Sequence, residues 1–95
     1  MSIGILEIKL YLAESHSLKS KRHLIRPLVN DIKKQFNVAV AETNYLDIWQ
    51  SAQLTCVTVS NDSVRVEQVL QQVLKFVTDR YSNLVIEKES IEIIT

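Results

Sequence analysis

From Gly4 to Leu12 the chain alternates: Gly4, Leu6, Ile8, Leu10 and Leu12 share one parity, and Glu7, Lys9 and Tyr11 share the other. Successive side chains of a strand point to opposite faces, so this run predicts a central strand with one buried face. After Ala13-Glu14-Ser15-His16, Ser17 stands as an N-cap, and Leu18, Ile25, Leu28, Val29, Ile32 and Phe36 then fall within one arc of a helix reaching to about residue 36. Pro27 lies inside that helix, where it removes one hydrogen bond and clashes with the carbonyl four residues back, at about 3 kcal/mol; a kink or a late helix start is expected. Val38 to Ala41 predicts a short second strand, and Leu54, Val57 and Val59, interleaved with Thr55 and Thr58, a third, with a hairpin connection from Thr43 to Gln50. Asn61-Asp62 offers capping side chains to a second helix with an apolar stripe of Val66, Val69, Leu70, Val73, Leu74, Val77 and Tyr81. Leu84 to Ile94 closes the pattern as a fourth strand, whose apolar positions change parity between Ile86 and Ile91, predicting a bulge near Glu87 to Ser90.

Strand, helix, strand, strand, helix, strand is the split βαβ pattern of an α+β, ferredoxin-like βαββαβ two-layer sandwich: a four-stranded antiparallel sheet with two helices on one face. The other face of such a sheet is left open. On it the two central strands are expected to present Glu7, Lys9 and Tyr11 beside Gln53 and Thr55.

An apolar content of 46% in 95 residues is enough for one core and too little for two, so residues 1–95 read as a single domain. Eleven basic and eleven acidic side chains cancel, which removes any global electrostatic drive toward nucleic acid or an anionic membrane; such binding would need a local patch. Glu7 and Lys9 break the first apolar run well short of a signal peptide or a membrane span, so a cytoplasmic protein is expected, with no membrane partner. Cys56, the only cysteine, permits neither an internal disulfide nor a cysteine-based zinc site, and placed mid-strand it reads as a small buried hydrophobe. One Gly and one Pro leave no room for a glycine-rich phosphate loop.

The neutral total conceals a basic element. Between Ser17 and Lys34 stand Lys19, Lys21, Arg22, Arg26, Lys33 and Lys34 against one acid, Asp31. A helix needs a polar outside, and lysines supply one. Cations near a helix N-terminus nevertheless oppose the dipole, by about 0.3–1 kcal/mol each, so crowding Lys19, Lys21 and Arg22 there points to a phosphate-bearing partner such as an RNA backbone. Single-stranded RNA would also want aromatic stacking platforms; Tyr11 is the one aromatic expected on the open face, with Tyr45 and Trp49 in the hairpin as further candidate partner contacts. The alternative is a protein-interaction domain that forms a homodimer through its open sheet face or a strand edge. His16 and His23 have no nearby Cys and no helical His partner, so no metal is expected, and Ser15, His16 and Ser17 are neighbours in sequence rather than a triad. No catalytic motif and no cofactor site is legible.

Four blocks, Ser17-Leu18-Lys19-Ser20-Lys21-Arg22, Phe36 to Glu42, Asp47 to Ala52 and Val59-Ser60-Asn61-Asp62, resemble in that order the YlxP-like family of bacterial proteins. The resemblance implies a ferredoxin-like fold, a cytoplasmic bacterial protein and a domain of unknown function with no catalytic residues to carry over. Members are often encoded beside translation-initiation and ribosome-maturation factors, which implies a ribosome- or RNA-associated role. Ser20 stands where members commonly have Glu, and Pro27 interrupts the first helix.

Overall fold

The computed structural model describes residues 1–95 and has the elements β1 (Ser2–Tyr11), α1 (Leu18–Gln35), β2 (Ala39–Asn44), β3 (Ser51–Ser60), α2 (Ser63–Arg80) and β4 (Val85–Ile94). They form one antiparallel sheet in the order β2-β3-β1-β4, with β1 and β3 central. This is the ferredoxin-like arrangement. The alternation in β1 does what its period requires: Leu6, Ile8, Leu10 and Leu12 are fully buried, each contributing about 1.5–3 kcal/mol of burial. They meet Leu54 and Cys56 of β3, Ile25, Leu28 and Ile32 of α1, and Val66, Leu70, Val73 and Val77 of α2 in one core.

Within β3 the alternation splits the apolar residues between the two faces, with Gln53 and Thr55 on the open one as expected. Leu54, Cys56 and Thr58 face the helices, whereas Val57 and Val59, paired with Ile5 and Ile3, face the open side. The open face is consequently divided along its length. Ile3, Ile5, Val57, Val59, Ala39 and Ile94 make one end mostly apolar, with Glu92 at its β4 rim opposite Ile5; Glu7, Lys9, Gln53, Thr55, Lys88 and Ser90 make the other polar. The predicted bulge in β4 is present: Lys88 pairs with Lys9 and Ile86 with Leu10, leaving Glu87 as the extra residue.

Both helices start where their caps stand. Ser17 accepts from the Ser20 amide, and Ser20 returns its hydroxyl to the Ser17 amide, so a serine completes the capping box. Asp62 caps α2 through the Val64 amide. Pro27 gives no late start, because α1 runs unbroken from Leu18 to Gln35 with Pro27 inside it. The residue is exposed, so the His23 carbonyl that loses its amide donor lies on the wet side of the helix, where water can replace it. The edge-to-face rings of Phe36 and Phe76, 5.5 Å apart, join the two helices.

At Gly4 the side chains of α2 press directly against the backbone of β1. A Cβ there would stand 2.3 Å from Val66 Cγ1 and 2.8 Å from Leu70 Cδ1. Gly4→Ala is expected to lower the unfolding free energy by about 1–3 kcal/mol through overpacking, measured by urea denaturation. Adding Val66→Ala should recover part of that loss; a purely additive double variant would refute the contact as the cause.

Candidate functional site

The basic arc of α1 is built by helical spacing. Lys19, Arg22, His23, Arg26, Asn30 and Lys34 recur at three- and four-residue intervals, and with Pro27 and Asp31 they line an open hollow of about 710 Å³ on the outer side of the helix. Asp31 is the one acid in it, and its carboxylate accepts a hydrogen bond from the Tyr81 hydroxyl at the end of α2. The ion pairs of the protein are Lys9–Glu87, Lys21–Glu42 and Lys75–Asp79. Lys19, Arg22, Arg26 and Lys34 therefore share one exposed face with no acidic partner. Lys33 is exposed and unpaired as well, but outside this hollow.

Lys21 does not belong with them, which corrects its place among the expected phosphate contacts. Its side chain is 3% exposed and turned inward. The ammonium lies 2.7 Å from Glu42 Oε2 and donates to the Tyr45 carbonyl at 2.6 Å. The signal was in the spacing: Lys21 precedes Ile25 by four residues and Leu28 by seven, which puts it on the apolar arc. Burying a lysine there is tolerable because a carboxylate and a carbonyl receive the charge.

That inward lysine shapes the hairpin. Tyr45 adopts a positive φ of 60°, uncommon for a bulky residue, and its strained backbone is held on both sides by the Lys21 ammonium on its carbonyl and by Asn44 Oδ1 on its amide. The turn carries Leu46 against α1, where Leu18, Arg22, Ile25, Arg26 and Glu42 complete a second hollow of about 210 Å³. Arg22 and Arg26 form the ridge between the two hollows. Trp49, 54% exposed, stands on the same hairpin, just before β3.

Tyr45 and Tyr11 fall elsewhere. The Tyr45 ring is 4.9 Å from the Lys9 ammonium and helps line a depression on the polar end of the open sheet face, with Glu7, Gln53, Lys88, Glu89 and Ser90. Gln53 there donates to Glu7 at 2.8 Å. Tyr11 is exposed on the same face between Ser51 and Val85. The structure thus does not bring Tyr11 or Tyr45 to the basic helix. Glu42 and Leu46, which organise the hairpin side of the site, were not singled out by the sequence reading. No group of three or more His, Cys, Asp or Glu side chains is placed to hold a metal ion, and no helix is long and apolar enough to cross a membrane.

Residues 3–90 match a family model described as a protein of unknown function, DUF503. The chain is 33% identical over 75 residues to the uncharacterized protein YlxP of Bacillus subtilis, covering 79% of this chain and 82% of that protein. Among solved structures it is similar to a de novo designed protein with ferredoxin fold, at a TM-score of 0.55 and 10% identity over 99% of this chain and 84% of that one. It is also similar to SnoaB, a cofactor-independent oxygenase from Streptomyces nogalater, at a TM-score of 0.50 and 9% identity over 99% of this chain and 91% of that one. Those two likenesses concern the fold alone.

Lys21→Met is expected to destabilise the protein by about 2–3 kcal/mol, below the 3–5 typical of a broken fully buried pair because Glu42 keeps some contact with water. Denaturant titration measures it, and a loss under about 1 kcal/mol would show the pair to be a surface one. A second expectation concerns alkaline pH. Burial pushes the Cys56 thiol from 9.0 up to about 11, and burial followed by the bond to Asp31 raises the Tyr81 hydroxyl from 10.0 to about 12. Both groups are held neutral in the fold, so their contribution is fully present below their ordinary values and fades as pH rises from about 9 to about 12. Tyr81→Phe should flatten the upper part of that decline in a pH series of melting temperatures; an unchanged slope would contradict the assignment.

Proposed function

The chain belongs to the DUF503 family, described as proteins of unknown function, and from that premise we propose that it is a non-enzymatic module engaging the phosphate backbone of RNA, as on a ribosome, through the outer face of α1. The observation that carries the reading is the unpaired state of Lys19, Arg22, Arg26 and Lys34 on one face of a protein whose net charge is zero. A solvated face built for helix stability alone would favour acids in the first turn and acid–base pairs one turn apart; α1 has no acid in its first turn.

Such a face supplies affinity and orientation rather than sequence selection, because phosphates are alike at every nucleotide. Arg22 and Arg26 are suited to the central role, since a guanidinium can grip two phosphate oxygens at once. Lys19, Lys34 and, further along, Lys33 extend the same track. Leu46 adds apolar contact area beside the ridge and the exposed Trp49 offers more on the same hairpin, whereas Lys21 contributes only by holding the hairpin in place. A reducing cytoplasm suits a chain whose one thiol is buried.

The triple variant Lys19→Glu, Arg22→Glu, Arg26→Glu tests this by co-sedimentation with ribosomes and by RNA binding across a salt series. Affinity should fall, and the slope of log K against log salt should shrink by about 2–3, at roughly 0.7–0.9 per lost phosphate contact. Circular dichroism checks that the variant is folded. A folded variant that binds as tightly as the wild type at low salt would sink the proposal.

A further inference from the structure

The sheet has two edges, and they are not alike. β2 is six residues long, is bulged at Thr43, and turns its one charge, Glu42, inward to Lys21. Short length, a bulge and an inward charge are the devices by which an edge is closed to further strands. β4 is ten residues long and leaves its outer backbone groups without a strand partner. Its bulge at Glu87 lies near one end, so Lys88 to Ile94 continues in regular pairing with β1.

Three charges on that regular stretch, Lys88, Glu89 and Glu92, have no ion-pair partner, and two of them, Lys88 and Glu92, lie on the open face. Lys88 stands directly opposite Lys9 on the open face, a like-charge pair that costs stability. Glu87 answers Lys9 at 3.7 Å, but no carboxylate pairs with Lys88. Four residues on, Glu92 shares the same face, opposite Ile5, and no cation pairs with it. Lys88 and Glu92 are placed symmetrically about Ser90.

We propose that a second copy of this chain pairs antiparallel along β4, with Ser90 opposite the partner's Ser90, Lys88 opposite the partner's Glu92, and Glu92 opposite the partner's Lys88. A two-fold axis through the edge keeps open face with open face, so such an axis must pass at a residue position. Centred on Lys88, Glu89 or Glu92, it sets a like-charge pair across the axis; centred on Ile91, it leaves Lys88 and Glu92 without opposite charges. Centred on Ser90, it makes two attractive Lys–Glu pairs and gives Lys88 a neighbour that offsets Lys9. The result is a continuous sheet of eight strands, twice the four of one copy. Because α1 packs against β2, the basic helices lie at the two outer ends of that sheet, both on its covered face.

The contact is narrow, under the roughly 1,200 Å² of a standard stable interface, so a concentration-dependent dimer is expected. Sedimentation equilibrium from micromolar to millimolar protein reads it. Lys88→Glu and Glu92→Lys should each weaken association roughly tenfold, since each replaces two attractive pairs by two repulsive ones. The double variant Lys88→Glu, Glu92→Lys exchanges the charges and should restore wild-type association. Circular dichroism confirms that all four proteins are folded. A wild type that stays monomeric throughout overturns the proposal. So does a dimer that ignores the single changes, that is not recovered by the exchange, or that is lost instead to Val57→Lys on the apolar end of the open face.

Discussion

The arrangement of this molecule on its functional side depends on where one ammonium group sits. Lys21 enters on the apolar arc of α1 and is taken inside, where the Glu42 carboxylate of β2 and the Tyr45 carbonyl of the turn that follows receive its ammonium, with the Leu46 carbonyl at 3.5 Å. A buried charge without partners would cost several kcal/mol, so helix, edge strand and hairpin are obliged to meet at that point. The strained backbone of Tyr45 follows from the same requirement, since the turn must aim its carbonyl at the helix. Leu46 is thereby laid beside Arg22 and Arg26. What looks like a cluster of six equivalent cations in the first helix is one structural lysine and five outward ones.

Charge in this protein is segregated rather than absent. The outer face of α1 collects cations without acids, while β4 carries Glu87, Glu89 and Glu92 along the opposite edge of the sheet. Zero net charge permits both, because steering and contact act over about a Debye length of roughly 8–10 Å rather than over the whole molecule. The N-terminal serines make the cationic start of α1 sustainable. Ser17 and Ser20 cap each other's amides, and the hydroxyl of the buried Ser15 lies 3.2 Å from that of Ser20, so neutral oxygens do the work that a glutamate would do by charge.

The open sheet face is neither an aromatic RNA-reading platform nor a uniformly apolar dimer surface. Its polar end is knitted by Gln53 to Glu7, Thr43 to Thr55 and Lys9 to Glu87, with the Tyr45 ring against Lys9. The centre of its apolar end, Ile3, Ile5, Val57 and Val59, is made of β-branched residues of β1 and β3 that strand propensity favours whichever way they point.

Local periodicity was enough to read the element order, the two N-caps, the stripe of α2 and the β4 bulge, because each depends on spacings of a few residues and on side chains that act on their own backbone. The same is true of the basic arc: Lys19, Arg22, Arg26 and Lys34 are neighbours by helical geometry alone. The side of β3 on which Val57 lies was not legible from its apolar content, since Leu54 and Val57 are both apolar and opposite in parity, and the register with β1 decides which is buried. The inward turn of Lys21 was foreshadowed by its spacing, but its partners are 21 and more residues away, at Glu42 and Tyr45, and a contact at that separation exists only once β2 has docked. Likewise Tyr45 reaches the open face by a backbone turn that no propensity scale encodes. The sequence by itself determined the fold and the cationic helix, which are properties of repeating local geometry; tertiary structure decided which cation is buried, where the aromatics stand and which edge is open, because those depend on long-range pairing and on satisfying every charge the core encloses.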